Sequence, residues 1–259
     1  MTTTSKIAEF LLDYADALLS AGAQTSRIVR NVCRLAEAFD CKIHLVVFPK
    51  TLMMTLERRG EEVHSAVRKT RPAQLNFRIL TELRILTWET LKNNLSMDEC
   101  RSRYEKILKE KRNSGVKLCF FVALANASFC YLLGGYTMAN GGFRSSVAVF
   151  TGTFVGFFLK EILTKYHVNH LIVFTLCAFV SSFIAGIFAL EMQFHTDLAL
   201  STSVLFLVPG VPLLNGVIDL IDGHVLAGVS RIVNATALVL AMTLGLIFTV
   251  ILLGSKTLL

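Results

Sequence analysis

The chain has 259 residues, 53% of them hydrophobic and only 17% charged, with a formal net charge of +7. Soluble domains carry about 25% charged residues, so a wholly soluble protein is excluded, as are a disordered chain, a collagen-like repeat and a small disulfide scaffold. Placement sharpens the point: residues 1–116 hold 20 of the 26 Lys+Arg and 14 of the 19 Asp+Glu, leaving 11 charges for residues 117–259.

Ile7, Phe10, Leu11, Tyr14 and Leu18 recur at helical spacing, and Gly22 is a natural stop. The stretch Ile7–Ala23 has the outline of a secretory leader, but Glu9, Asp13 and Asp16 interrupt its apolar core. An amphipathic cytosolic helix is expected instead. Thr25 or Ser26 is expected to cap a second helix, with Ile28, Val32, Leu35, Ala36 and Phe39 inside and Arg27, Arg30 and Arg34 outside. Lys42–Phe48, Thr51–Glu57 and Val63–Lys69, punctuated by Pro49 and Arg59-Gly60, predict a small antiparallel sheet of two or three strands. A helix resumes after Pro72 and runs to about Asn93. Ser96-Met97-Asp98-Glu99 is a capping box in sequence form, opening a helix to about Arg112. Residues 1–115 are thus expected to form a small α+β cytoplasmic domain. Its basic excess comes with no aromatic stacking platform or reading motif, so no nucleic-acid partner is expected. Lys and Arg ahead of a membrane span lie on the cytoplasmic face, where anionic lipid of the bilayer holds them.

Five apolar runs follow, near Lys117–Gly135, Ser145–Leu163, Leu171–Leu190, Leu198–Leu220 and Ile232–Leu253. Each approaches the roughly 20 residues that cross ~30 Å of hydrocarbon, so residues 116–259 are expected to form an integral membrane bundle of five transmembrane helices. Lys160-Glu161 close the second run and can snorkel to the interface. Lys160, Lys165 and Arg231 mark inside loops, and the acidic loop Glu191–Asp197 marks the outside. The amino terminus is then cytoplasmic and the carboxy terminus extracytoplasmic. An odd number of spans lets a second unit insert the opposite way up, the inverted-repeat construction of many secondary transporters.

The fourth run holds two of the four prolines, in Leu207-Val208-Pro209-Gly210-Val211-Pro212. Each proline removes a donor and clashes one turn back, so the helix is expected to break here, with Gly210 adding freedom. Such breaks survive in lipid where protein or a water-filled cavity satisfies them, and they point to midplane substrate sites. Asn215, Asp219 and Asp222 follow on one helical face, then His224 and Arg231. A carboxylate in a span costs about 2.5–3.5 kcal/mol on insertion scales and faces a cavity or a partner. Asp219, the deeper acid, is the candidate proton carrier, and Arg231 either pairs with Asp222 as an interfacial anchor or holds the Asp219 charge when the site is empty and offers a contact to a substrate carboxylate. Gly152-x-x-x-Gly156 is read as a helix-packing contact. His167 and His170 lack a third metal ligand, and no nucleotide loop or G-x-S-x-G turn is present, so no metal, cofactor or enzyme activity is expected.

At these motifs the chain resembles the amino-terminal half of the threonine/serine exporter family. Gly22-Ala23-Gln24-Thr25-Ser26-Arg27-Ile28, Pro49-Lys50-Thr51 and Leu75-Asn76-Phe77-Arg78 resemble its first motifs. Leu207 to His224, with Gly228 and Arg231, is the most specific likeness. The resemblance implies a plasma-membrane secondary transporter that exports small hydrophilic metabolites on the proton motive force. Family members fuse two halves or split them, so a smaller membrane subunit is the implied partner. The substrate is threonine and serine or, as in split pairs of this kind, a succinate-like C4-dicarboxylate. Other classes remain: a membrane-tethered metabolite sensor, or a hydrolase on an anchor.

Overall fold

The computed structural model describes residues 3–58, 63–71, 75–110, 115–134, 142–191 and 196–257. It divides into two compact units, one of Met1–Lys111 with Gly210–Val233, the other of Arg112–Pro209 with Asn234–Leu259.

The first unit opens with helix α1 (Thr3–Ser20) and helix α2 (Thr25–Ala38). Ile7, Phe10, Leu11, Tyr14 and Leu18 of α1 are all buried, as are Ile28, Val32, Leu35 and Ala36 of α2. Two of the three acids that break α1's apolar run are matched: Arg68 pairs with Asp13, and Arg71 donates to Asp16 from both Nε (2.6 Å) and its backbone amide (3.0 Å). Strands β1 (Cys41–Phe48), β2 (Thr51–Arg58) and β3 (His64–Lys69) form an antiparallel meander in the order β1-β2-β3, so the sheet has three strands. Leu52, Met54 and Leu56 alternate into the core. The turn Arg59-Gly60 lies outside the described residues.

Helix α3 (Phe77–Asn93) starts later than Pro72, because the Asn76 side chain accepts from the Ile79 amide and fixes the entry there. Helix α4 (Met97–Lys109) opens on the expected capping box, and the backbone and hydroxyl of Ser96 hold the Glu99 carboxyl below its usual range. The expected end near Arg112 falls outside the described residues. Of the arginines expected on the outer face of α2, Arg34 lies 4.5 Å from the ring centre of Trp88.

The second unit is built from α5 (Val116–Leu133), α6 (Gly142–Lys165), α7 (His170–Glu191) and α8 (Thr196–Ser203), followed by a 3-10 turn, Leu205–Leu207. Helices α9 (Gly210–Ile221) and α10 (Val225–Thr257) complete the chain. Among the described residues, four helices are long and apolar enough to cross a membrane: Val116–Leu133, Phe143–Lys165, His170–Leu190 and Val225–Gly254. The count is five if Asp197–Leu207 and Gly210–Ile221 make one broken span. The protein is thus a mostly helical membrane protein with a small three-stranded sheet.

The Gly152–Gly156 contact has the expected role. A Cβ on Gly152 would fall against the Ser181 carbonyl, and one on Gly156 would lie 2.7 Å from the Ser181 Cβ, so the pair lets α6 and α7 touch backbone to backbone. The end of α8 is also satisfied from its neighbours. Asn126 and Thr153 reach the carbonyls of Thr202 (3.4 Å) and Ser203 (3.1 Å), and Ser181 donates to Ser203 at 2.8 Å. Three helices thereby supply the donors that lipid cannot.

Several expectations need correction. The fourth run breaks as expected, but ahead of the prolines and not between them: it leaves α-geometry at Val204 and restarts at Gly210. Pro212 therefore sits in the first turn of α9, where a missing donor removes no helical bond, and Gly210 has ordinary helical backbone with open space around it. The fifth helix begins at Val225, seven residues before the apolar run, so Arg231 is a helical residue and not a loop charge. Helix α6 continues past Lys160-Glu161 to Lys165, and the Lys160 ammonium is turned onto phenylalanine rings.

Candidate functional site

Three of the sequence-predicted residues converge within the first unit. Helix α1 ends in a turn where Gly22, at φ +92°, donates to Leu19 while Ala23 donates to Leu18. This paired arrangement needs the left-handed residue and fixes the exit of the chain. The segment Gly22–Gln24 then turns directly into α2. Helices α9 and α10 are joined by the same kind of turn at Gly223, φ +83°, where Gly223 donates to Leu220 and His224 to Asp219. Just inside that turn the two helices touch at Gly216 and Gly228: a Cβ on Gly228 would lie 2.8 Å from the Gly216 carbonyl. Asp219 and Arg231 each sit three residues beyond a touching glycine, so the close crossing brings them together.

The Asp219 carboxylate is fully buried, and it meets Arg231 Nε at 3.1 Å. Its other contacts come from the far end of the sequence. The Thr25 backbone amide donates to Oδ1 at 2.9 Å and the Thr25 hydroxyl to Oδ2 at 3.0 Å. Thr25 is the first residue of α2, so the carboxylate occupies the helix's positive end and accepts one of its otherwise unpaired amides. Asn215 Nδ2 donates to the Gly22 carbonyl at 2.9 Å, and Arg231 Nη2 to the Ala23 carbonyl at 2.8 Å. The loop Gly22–Thr25 is thus clasped by three side chains, each satisfying a different backbone group.

Taking a carboxylate and a guanidinium from water costs several kcal/mol per ion, which only good geometry and extra hydrogen bonds offset. Here the pair has both. Such an arrangement is stable while the carboxylate is charged and loses its ion pair when the carboxylate is neutral.

The other predicted residues stand apart from this cluster. Asp222 is exposed at the end of α9, and of the two acids expected as partners for Arg231 it is Asp219, not Asp222, that pairs with it. His224 is half-buried and enters the turn through its backbone. Pro209 precedes α9, Gly210 opens it and Pro212 lies exposed in its first turn. Sequence reasoning missed Thr25, which it read as a local cap. The N-cap of α2 is Gln24, without a side-chain cap, and Thr25 spends its hydroxyl on Asp219. The likeness of Gly22–Ile28 to a family motif was the available signal.

Residues 9–253 match the ThrE family, described as "Putative threonine/serine exporter". Two relatives, from Klebsiella aerogenes and Escherichia coli K12, are each named "Probable succinate transporter subunit YjjP". They are 28% and 26% identical over 242 residues, which cover 92% of this chain and 91% of theirs. No solved structure matches.

Proposed function

This chain belongs to the threonine/serine exporter family and is a transporter subunit, and from that premise we propose that it exports a C4-dicarboxylate of the succinate type. The observation that carries the substrate is the end-to-end match to relatives named for succinate, over 91% of their length. A second reading, export of threonine and serine, is favoured by the family's description. Both substrates are small, hydrophilic and carry a carboxylate.

The complementary half is a smaller membrane subunit, since a five-span chain supplies one half of an inverted-repeat machine. The complex lies in the plasma membrane, with residues 1–115 cytoplasmic and the carboxy terminus outside, as the loop charges favour. A reporter fused at either terminus reads this orientation.

Asp219 is the coupling acid of this scheme. When charged, it holds Arg231 and the start of α2 together. When a proton neutralises it, the ion pair is lost and the Gly22–Thr25 loop is released from two of its contacts. Arg231 then becomes available to a carboxylate, and Asn215 supplies a directed hydrogen bond. Pro209 and Pro212 set where α9 begins and so the register that delivers Asn215 and Asp219.

The test is efflux of labelled succinate and labelled threonine, side by side, from cells expressing this chain with its smaller partner. Succinate efflux well above that of threonine is expected. The reverse order would install the amino-acid reading, and efflux of neither would remove both.

A further inference from the structure

We propose that the exposed stripe of α3, with the arginines of α2 beside it, is a docking face for the anionic surface of the bilayer. Leu83, Leu86, Thr87 and Thr90 of α3 are buried in the first unit. Phe77, Thr81, Arg84, Ile85, Trp88 and Lys92 fall on the opposite side of the helix, and all six are exposed. Three of them are large and apolar: Phe77 is 61% exposed, Ile85 45% and Trp88 48%. Arg34 reaches over from α2, its guanidinium stacked on the Trp88 ring. By helical spacing it shares a face of α2 with Arg27 and Arg30, both exposed. Glu82 and Glu89 lie off the α3 stripe, and Glu89 is paired with Arg103 of α4 at 2.6 Å. Glu37 follows Arg34 one turn on, which leaves Arg27, Arg30, Arg34, Arg84 and Lys92 in clear excess.

A helix face that meets only water is polar. One that exposes Phe, Ile and Trp among cations has the composition of a surface that lies in the membrane interface, with its rings at headgroup level and its charges on the phosphates. Trp suits that depth because its ring is apolar while its N–H stays hydrogen-bonded. Stacking on Trp88 fixes Arg34 beside the ring and leaves its charge in place. Cations alone would fit any acidic partner, so the choice of lipid rests on the apolar side chains and on the tether. Helix α4 ends at Lys109 and the first apolar span opens at Val116, a separation of at most ~25 Å for an extended chain. The bilayer is therefore always close at hand, whereas a soluble acidic protein must be captured from dilute solution. Each Lys or Arg at an anionic surface strengthens the hold about fivefold.

The cytoplasmic placement of residues 1–115 sets this face on the inner leaflet, and the inference rests on that reading for its setting. Trp88 is the single tryptophan of the chain, so intrinsic fluorescence reports this face alone. The full chain is placed in nanodiscs of phosphatidylcholine, with and without phosphatidylglycerol. Phosphatidylglycerol should shift Trp88 emission to the blue, shield it from acrylamide in the water and expose it to quenching by brominated acyl chains. Salt at about 1 M, where the Debye length falls to roughly 3 Å, should reverse most of the shift. Arg84→Gln together with Lys92→Gln should lower the docked-to-free ratio about 25-fold, fivefold for each cation, and keep the parental melting midpoint in detergent. Ile85→Ser, which keeps every charge, should weaken quenching by the brominated chains. Emission and quenching that ignore lipid charge, or a Gln pair that responds like the parent, would overturn the docking face. Shielding from acrylamide already complete in detergent would also overturn it, by assigning the face to a second copy or to the chain itself. If the Gln pair does not accumulate, a parental shift that survives high salt would overturn it. Discs carry the same lipid on both faces, so an amino-terminal reporter active outside the cytosol would remove the cytoplasmic reading and leave the docking face standing.

Discussion

Asp219→Asn is expected to destabilise the unit holding the clasp by about 3–5 kcal/mol, the usual consequence of breaking a buried ion pair from one side. The amide keeps the size of the carboxylate but offers one acceptor where two are used. Its NH2 group would face Arg231, whose side chain is only 18% exposed, or the amide at the start of α2. Either choice sets donor against donor. In transport, the neutral side chain cannot exchange a proton, so gradient-driven efflux should be lost while substrate exchange survives in part. Denaturant unfolding and efflux with imposed pH gradients read the two effects. Two comparisons make the test specific. Asp222→Asn, at an exposed position, should stay within about 0.5 kcal/mol of the parent. Adding Arg231→Gln to Asp219→Asn should recover part of the stability, because the second change removes the orphaned charge. An Asp219→Asn protein that melts and transports like the parent would place both the clasp and the coupling elsewhere.

Gly152→Leu should be as disruptive for a different reason. A side chain there would meet the Ser181 carbonyl, and the Ala185 Cβ is 3.0 Å from where its own Cβ would stand. Backbone cannot rotate away as a side chain can, so α6 and α7 must separate. Overpacking costs about 1–3 kcal/mol in cores that can relax, and more where the obstacle is main chain. Separation would also pull Thr153 and Ser181 from the Ser203 carbonyl, leaving the end of α8 unsatisfied in lipid. Loss of both accumulation and transport is expected, read by the melting midpoint and by counterflow. Gly210→Ala is the matching control: no atom lies within 4 Å of its Cβ position, so it should be silent. A fully active Gly152→Leu would show that α6 and α7 need not touch.

What could be read from the sequence was whatever depends on neighbours in the chain. Helical spacing placed the buried face of α1, alternation placed the strands, and Ser96–Glu99 placed a capping box, because each is settled within a few residues. The Pro-Gly-Val-Pro segment marked a real interruption, but its position moved. A proline in the first turn of a helix costs nothing, so the chain broke ahead of Pro209 and not between the prolines. The apolar run beginning at Ile232 understated α10 because hydrogen-bond continuity is indifferent to polarity, and so Arg231 was read as a loop charge. Asp219 was legible as a charge in the wrong medium, whereas its partner Thr25 lies 194 residues away and looked like an ordinary cap. No local rule selects a partner at that distance. Lys160 meets the Phe206 ring in the same way, through the fold and not through the spacing.

The central claim is that this chain is half of an exporter. Counterflow of labelled succinate into proteoliposomes tests it most directly, with this chain alone, the smaller partner alone, and both together. The account predicts uptake only when both are present, at a rate that falls to background when either is omitted. Full counterflow by this chain reconstituted alone would contradict it.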